Sequence, residues 1–121
     1  MLLSVLIVVE AFSFATRAWA HPELEAQIAR ITAMLAEQRK SAELYLQRAD
    51  LYRRHAQFQE ALRDIAEAAQ LQANTSQITF ARAKVFSEAG RAEEALEAVQ
   101  QFLAVETNHW EGLLICARAC Q

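Results

Sequence analysis

Downstream of residue 20 the chain places Leu24, Ile28, Ile31 and Leu35 on a single stripe, three to four residues apart, with Pro22, Glu23 and Glu25 ahead of them. That spacing matches the 3.6-residue turn of an amphipathic helix. Proline suits a first helical turn, and early carboxylates oppose the positive end of the helix macrodipole. The pattern predicts a helix within residues 21–40, and its Glu-rich flank favours a cap over the repeats that follow rather than a membrane-surface helix, which would want Lys and Arg beside its apolar face. Further along, the pattern is copied. "EEALEAV" around Ala95 repeats "QEALRDI" around Ala61, and the interval between those two alanines recurs throughout. It joins Arg48 to Arg82, Ala49 to Ala83, Glu60 to Glu94, Leu62 to Leu96 and Asn74 to Asn108. Tyr52 and Phe86, Leu51 and Val85, Ile65 and Val99, and Leu71 and Val105 are conservative matches, and one more step carries Ala83 to Ala117.

A period of this length that holds two helical stripes is an antiparallel helix pair repeated in tandem. Ala49 with Ala61, and Ala83 with Ala95, supply small residues where the two helices of a pair must cross closely; larger ones would force the axes apart. Tyr52 and Phe86 fill the space beside them. Gly90 lies between the helices of one pair, where a positive φ costs glycine little, and Ala56 holds the same position in the other, which predicts a less favourable turn there. A single pair leaves much apolar surface in water, so the pairs must stack. The expected fold is all-α, with units at 42–75 and 76–109 and the first helix of an incomplete unit at 110–121.

The arrangement resembles the tetratricopeptide repeat family. Tyr45, Arg48, Ala49, Tyr52, Ala61, Ile65 and Ala73 stand at the motif positions of the first unit. Thr79, Arg82, Ala83, Phe86, Ala95, Val99 and Thr107 stand at those of the second, and Leu113, Cys116, Ala117 and Cys120 begin a third. Arg48 and Arg82 depart from the usual Leu, and Ala73 and Thr107 from the closing Pro, so those helix ends are expected to rely on Asn74 and Asn108 in a left-handed cap. The resemblance implies a right-handed superhelical stack whose first helices line a concave face that binds protein. On that face Leu46, Phe80 and Leu114 would form an apolar ladder, flanked by Glu43, Gln77 and Glu111 and, one turn along, by Asp50, Lys84 and Arg118. The alternative is that adjacent helices cover these apolar residues and nothing binds.

Composition narrows the partner. The 12 basic residues are interspersed with 15 acidic ones for a net charge of −3, which gives no basic patch for nucleic acid. The N-terminal run "MLLSVLIVV" and the small residues Ala18 and Ala20 fit a signal peptide cleaved after Ala20, and so export to the periplasm or beyond. Against it stand the lack of a Lys or Arg ahead of the run and Glu10 within it; the alternative is a buried or membrane-resting helix, and Glu10 with Arg17 rules out a stable span. Cys116 and Cys120 fall at packing positions, with an intermolecular disulfide or a metal site as the other options. Trp110 is expected to pack on the turn after the second unit, and His55 to be a solvated turn residue. An N-terminal His21 could offer an amine and imidazole to copper, but it would need another histidine. No nucleophile stands with a base and an orienting group, so neither catalysis nor a cofactor is expected. The sequence thus points to a non-catalytic module that binds a polypeptide in a helical groove. The alternative is self-association through the unfinished third unit, unless that unit is the start of a longer array.

Overall fold

The computed structural model describes residues 21–71 and 73–121; the signal-peptide assignment falls outside them. Six helices follow one another: α1 (Pro22–Glu37), α2 (Ala42–Arg54), α3 (Phe58–Gln70), α4 (Thr75–Glu88), α5 (Ala92–Leu103) and α6 (Trp110–Ala119). No strand occurs among the described residues. The closest packing is between α2 and α3 and between α4 and α5, and each pair packs on the next through α3–α4 and α5–α6. The protein is an all-α stack of helix pairs. No helix among the described residues is long and apolar enough to cross a membrane.

The small-residue positions explain the packing. Ala49, Ala61, Ala83 and Ala95 are all buried, three of them completely. Each removes side-chain bulk where two backbones approach, and Ile65, Val85 and Val99 fill the remaining volume with almost no exposure. Leu24 and Leu35 of the first stripe are buried, while Ile28 and Ile31 are half-buried. Helix α1 packs on α2. It also lies one full period ahead of α3, so that Ile31, Ile65 and Val99 share one register position. It therefore stands where the second helix of a preceding pair would stand.

Helix ends follow local chemistry. Ser41 accepts a hydrogen bond from the Leu44 amide at 3.3 Å and starts α2, with Glu43 in the first turn and Arg53 and Arg54 in the last. The ends of α2 and α4 are copies of each other. The amides of Gln57 and Arg91 donate to the carbonyls of Tyr52 and Phe86, 2.8 and 2.9 Å away, and those of Ala56 and Gly90 donate to Arg53 and Ser87. This cap needs a left-handed residue, supplied by Gly90 at φ 74° and by Ala56 at φ 58°. Ala56→Gly should therefore stabilise the protein by about 0.5–1 kcal/mol, and Gly90→Ala should destabilise it by about 1 kcal/mol, read as opposite shifts of the urea midpoint. The open space around Gly90 makes backbone strain the whole cost of that alanine.

Asn74 and Asn108 do not take the left-handed cap assigned to them, since Ala56 is the one non-glycine residue of positive φ among those described. Asn74 instead begins α4, its side chain accepting from the Ser76 amide at 2.8 Å. At α6 that task passes to His109, whose Nδ1 accepts from the Gly112 amide at 3.2 Å. A short polar side chain before a helix offers its oxygen to free amides more readily than it adopts a strained φ.

Arg48 has a use that its motif position did not suggest. Its guanidinium binds both carboxylate oxygens of Asp64 at 2.7 and 2.8 Å, donates to the Thr32 hydroxyl of α1 at 3.1 Å, and lies against the rings of Tyr45 and Tyr52. The bond to Asp64 raises the guanidinium pKa above its ordinary value against the opposing effect of burial. The second unit has Ala98 in place of Asp64, and Arg82 makes no such ion pair among the described residues.

Candidate partner-binding groove

First helices α2, α4 and α6 present one register position each to a common face, at Leu46, Phe80 and Leu114. Three cavities lie along it. A cavity of about 840 Å³ is lined by Glu43, Leu46, Asp50 and Gln77 together with Gln27 and Ile31. The next, of about 230 Å³, shares Leu46, Asp50 and Gln77 with it and adds Phe80 and Lys84. Lys84 also borders a third of about 130 Å³, with Glu111, Leu114 and Arg118 on its wall. The structure thus places all eight residues singled out from the sequence on the walls of these three cavities.

The floor is less bare than an apolar ladder suggests. Phe80 stacks on the buried Phe102 at 4.6 Å between centroids, takes His109 edge-on at 4.8 Å, and has the Lys84 ammonium 4.7 Å from its ring. One face of the ring is thereby locked to the core, and the other carries a cation on a flexible stem that a partner can displace. Leu46 and Phe80 are half-buried, whereas Leu114 is exposed. Asp50 is not a free acid. Arg53 donates to its Oδ1 at 2.8 and 3.1 Å and also binds Glu88, so a carboxylate–guanidinium–carboxylate chain crosses from α2 to α4 beside the groove. The sequence spacing did not suggest Arg53 as a groove residue, because its partner Glu88 is distant in the chain and meets it only when the pairs stack.

Other expected residues lie elsewhere. Trp110 is 73% exposed and does not pack on the preceding turn. Val105, Leu113 and Leu114 are exposed with it. Cys116 packs into the core beside Ile115 and Val99, and burial, with Cys120 next to it, pushes its thiol pKa up. Cys120 is exposed, which corrects its assignment to a packing position, and both thiols are free. His55 is not a solvated turn residue. Its side chain is only 18% exposed, with Nδ1 2.8 Å from the Gln57 Oε1, Nε2 3.9 Å from Glu25, and the ring edge-on to His21 at 5.7 Å. No group of three His, Cys, Asp or Glu residues able to hold a metal occurs among the described residues.

A family description of the FAT domain matches residues 16–114, which covers α1 to α5 and the start of α6. The chain belongs to the FAT domain family. No curated protein matches it. Within this FAT domain the matched span ends at the groove residue Leu114, so all three rungs of the ladder lie inside it. A helical, solenoid-like domain of this kind offers surfaces for protein partners along its stack.

Proposed function

We propose that the chain is a tetratricopeptide-like, non-catalytic binding module that holds a segment of another polypeptide in the groove over α2, α4 and α6. The observation that carries this reading is the recurrence of Leu46, Phe80 and Leu114 at one register position, each lining one of three neighbouring cavities. A helical or extended segment with apolar anchors would set them on these rungs and displace the Lys84 ammonium from Phe80. Around them lie Lys84, Arg118, Glu88 and Glu111, a mixed border that suits a partner carrying charges of both signs.

Peptides selected from a displayed random library on the native chain test it directly. Binding should weaken more than tenfold in the Leu46→Glu, Phe80→Glu double variant while helix content by circular dichroism is retained. Selected peptides that bind the variant equally well would remove the groove from the mechanism. A second reading rests on the exposed Val105, Trp110 and Leu113: self-association through α6, seen as a mass that rises with concentration and that the groove variant leaves unchanged.

A further inference from the structure

The two helix pairs treat one arginine position differently. In the first, the Arg48 guanidinium holds both oxygens of the buried Asp64 carboxylate at 2.7 and 2.8 Å. Two parallel N–H···O bonds are the geometry in which a guanidinium grips any carboxylate. One period on, Arg82 keeps the cation and Ala98 removes the carboxylate. A cavity of about 330 Å³ opens there, with Arg82, Phe86 and Ala98 on its wall and Leu62 of α3 beside them. Arg82 is half-buried and enters no ion pair among the described residues. The site is separate from the groove, since Arg82 lies two residues, or about 200° round α4, from the rung Phe80.

The surroundings of Arg82 suit an incoming anion. Phe86 supplies a ring where Tyr52 flanks the Arg48 guanidinium, and the Arg91 guanidinium lies over that ring at 4.7 Å, which brings a second cation to the cavity. Thr79 stands in place of Tyr45, its hydroxyl bonded back to the Thr75 and Ser76 carbonyls, so the second ring is gone. Glu94 and Glu97 also line the cavity, and they do not forbid a carboxylate. Glu94 is held by Arg91 at 2.5 and 2.6 Å. Arg91, Glu94, Glu97 and Gln101 on this wall correspond to Gln57, Glu60, Arg63 and Glu67 on the Asp64 side, and the two sets carry the same net charge. The first unit therefore binds a carboxylate against that same background. Glu97, without an ion-pair partner among the described residues, favours a ligand that carries a cation beside its carboxylate.

We propose that Arg82 and the cavity against Ala98 form a carboxylate-binding subsite. Its ligand, an acidic side chain of a partner polypeptide or a free carboxylic acid, takes the place that Asp64 holds beside Arg48. The test titrates propionate, the end of a glutamate side chain, into the full chain and follows the Phe86 ring resonances by NMR, with propionamide as the neutral control. The expected result is a saturable shift with propionate that propionamide does not give and that Arg82→Gln removes, with helix content retained. Ala98→Asp supplies the carboxylate from within. It should also abolish the propionate shift, and it should melt higher than the Arg82→Gln, Ala98→Asp chain, where the new acid is buried without its cation. A blocked Glu-Lys dipeptide that displaces propionate at several-fold lower concentration assigns the subsite to a protein partner, and equal potency assigns it to a free acid. A shift that does not saturate, that propionamide matches, or that survives Arg82→Gln or Ala98→Asp would overturn the proposal. So would an Ala98→Asp chain that melts no higher than the double variant.

Discussion

Replacing Asp64 with alanine is expected to lower folding stability by about 3 kcal/mol, with a melting temperature lower by roughly 15 °C. Asp64 is 4% exposed, and its carboxylate takes two hydrogen bonds from the Arg48 guanidinium, which the rings of Tyr45 and Tyr52 also enclose. Removing the carboxylate leaves a guanidinium that cannot shed its proton and has only the Thr32 hydroxyl in place of its anion. Because native domains are stable by only about 5–15 kcal/mol, a loss of this size consumes much of the margin. Removing both partners, as in Arg48→Met with Asp64→Leu, should recover most of it, since a packed apolar pair avoids the desolvation of two ions. Urea denaturation of the wild type, both single variants and the double variant closes the cycle; a double variant no more stable than Asp64→Ala would show that the pair itself, rather than the orphaned charge, holds α2 to α3.

Ala83→Leu should destabilise by about 3 kcal/mol, whereas Ala117→Leu should stay within about 0.5 kcal/mol of wild type. The two alanines hold the same register position. Ala83 is completely buried between α4 and its neighbours, where added methylenes must displace Val99 or open the helix pair. Ala117 is exposed, because among the described residues no second helix folds back over α6. Thermal melts of the two variants make the comparison, and equal losses would mean that a partner or second copy covers α6 in solution.

Much of this architecture was legible in the residues themselves. The offset that links Ala49 to Ala83 and Ala61 to Ala95 marks where helices cross, since only a small side chain lets two backbones approach. The positive φ of Gly90 and Ala56 follows from the same alignment, which places both at one turn position. The candidate groove residues also came from register, because positions separated by a whole repeat must share a face once the repeats stack. Asn74 was misjudged because a polar residue between two helices can serve the end of one or the start of the next, and sequence alone does not rank them. Trp110 does not pack on the turn after the second unit, as its place in the repeat suggests, but stands 73% exposed at the start of α6.

What the sequence determined, then, is everything periodic: helix pairing, crossing positions, turn positions and the apolar ladder. Tertiary structure decided what the period cannot carry. It paired Arg48 with Asp64 in one unit while Arg82 faces Ala98 in the next, and closed the chain Asp50–Arg53–Glu88 across two pairs. It set Phe80 between Phe102 and Lys84, and opened a cavity of about 840 Å³ between α1 and α2. The physical reason is that register fixes which face a residue occupies, whereas partners and exposure depend on what the neighbouring unit places opposite. Neighbouring units here differ in charge, in bulk and in whether the described residues supply a next helix at all.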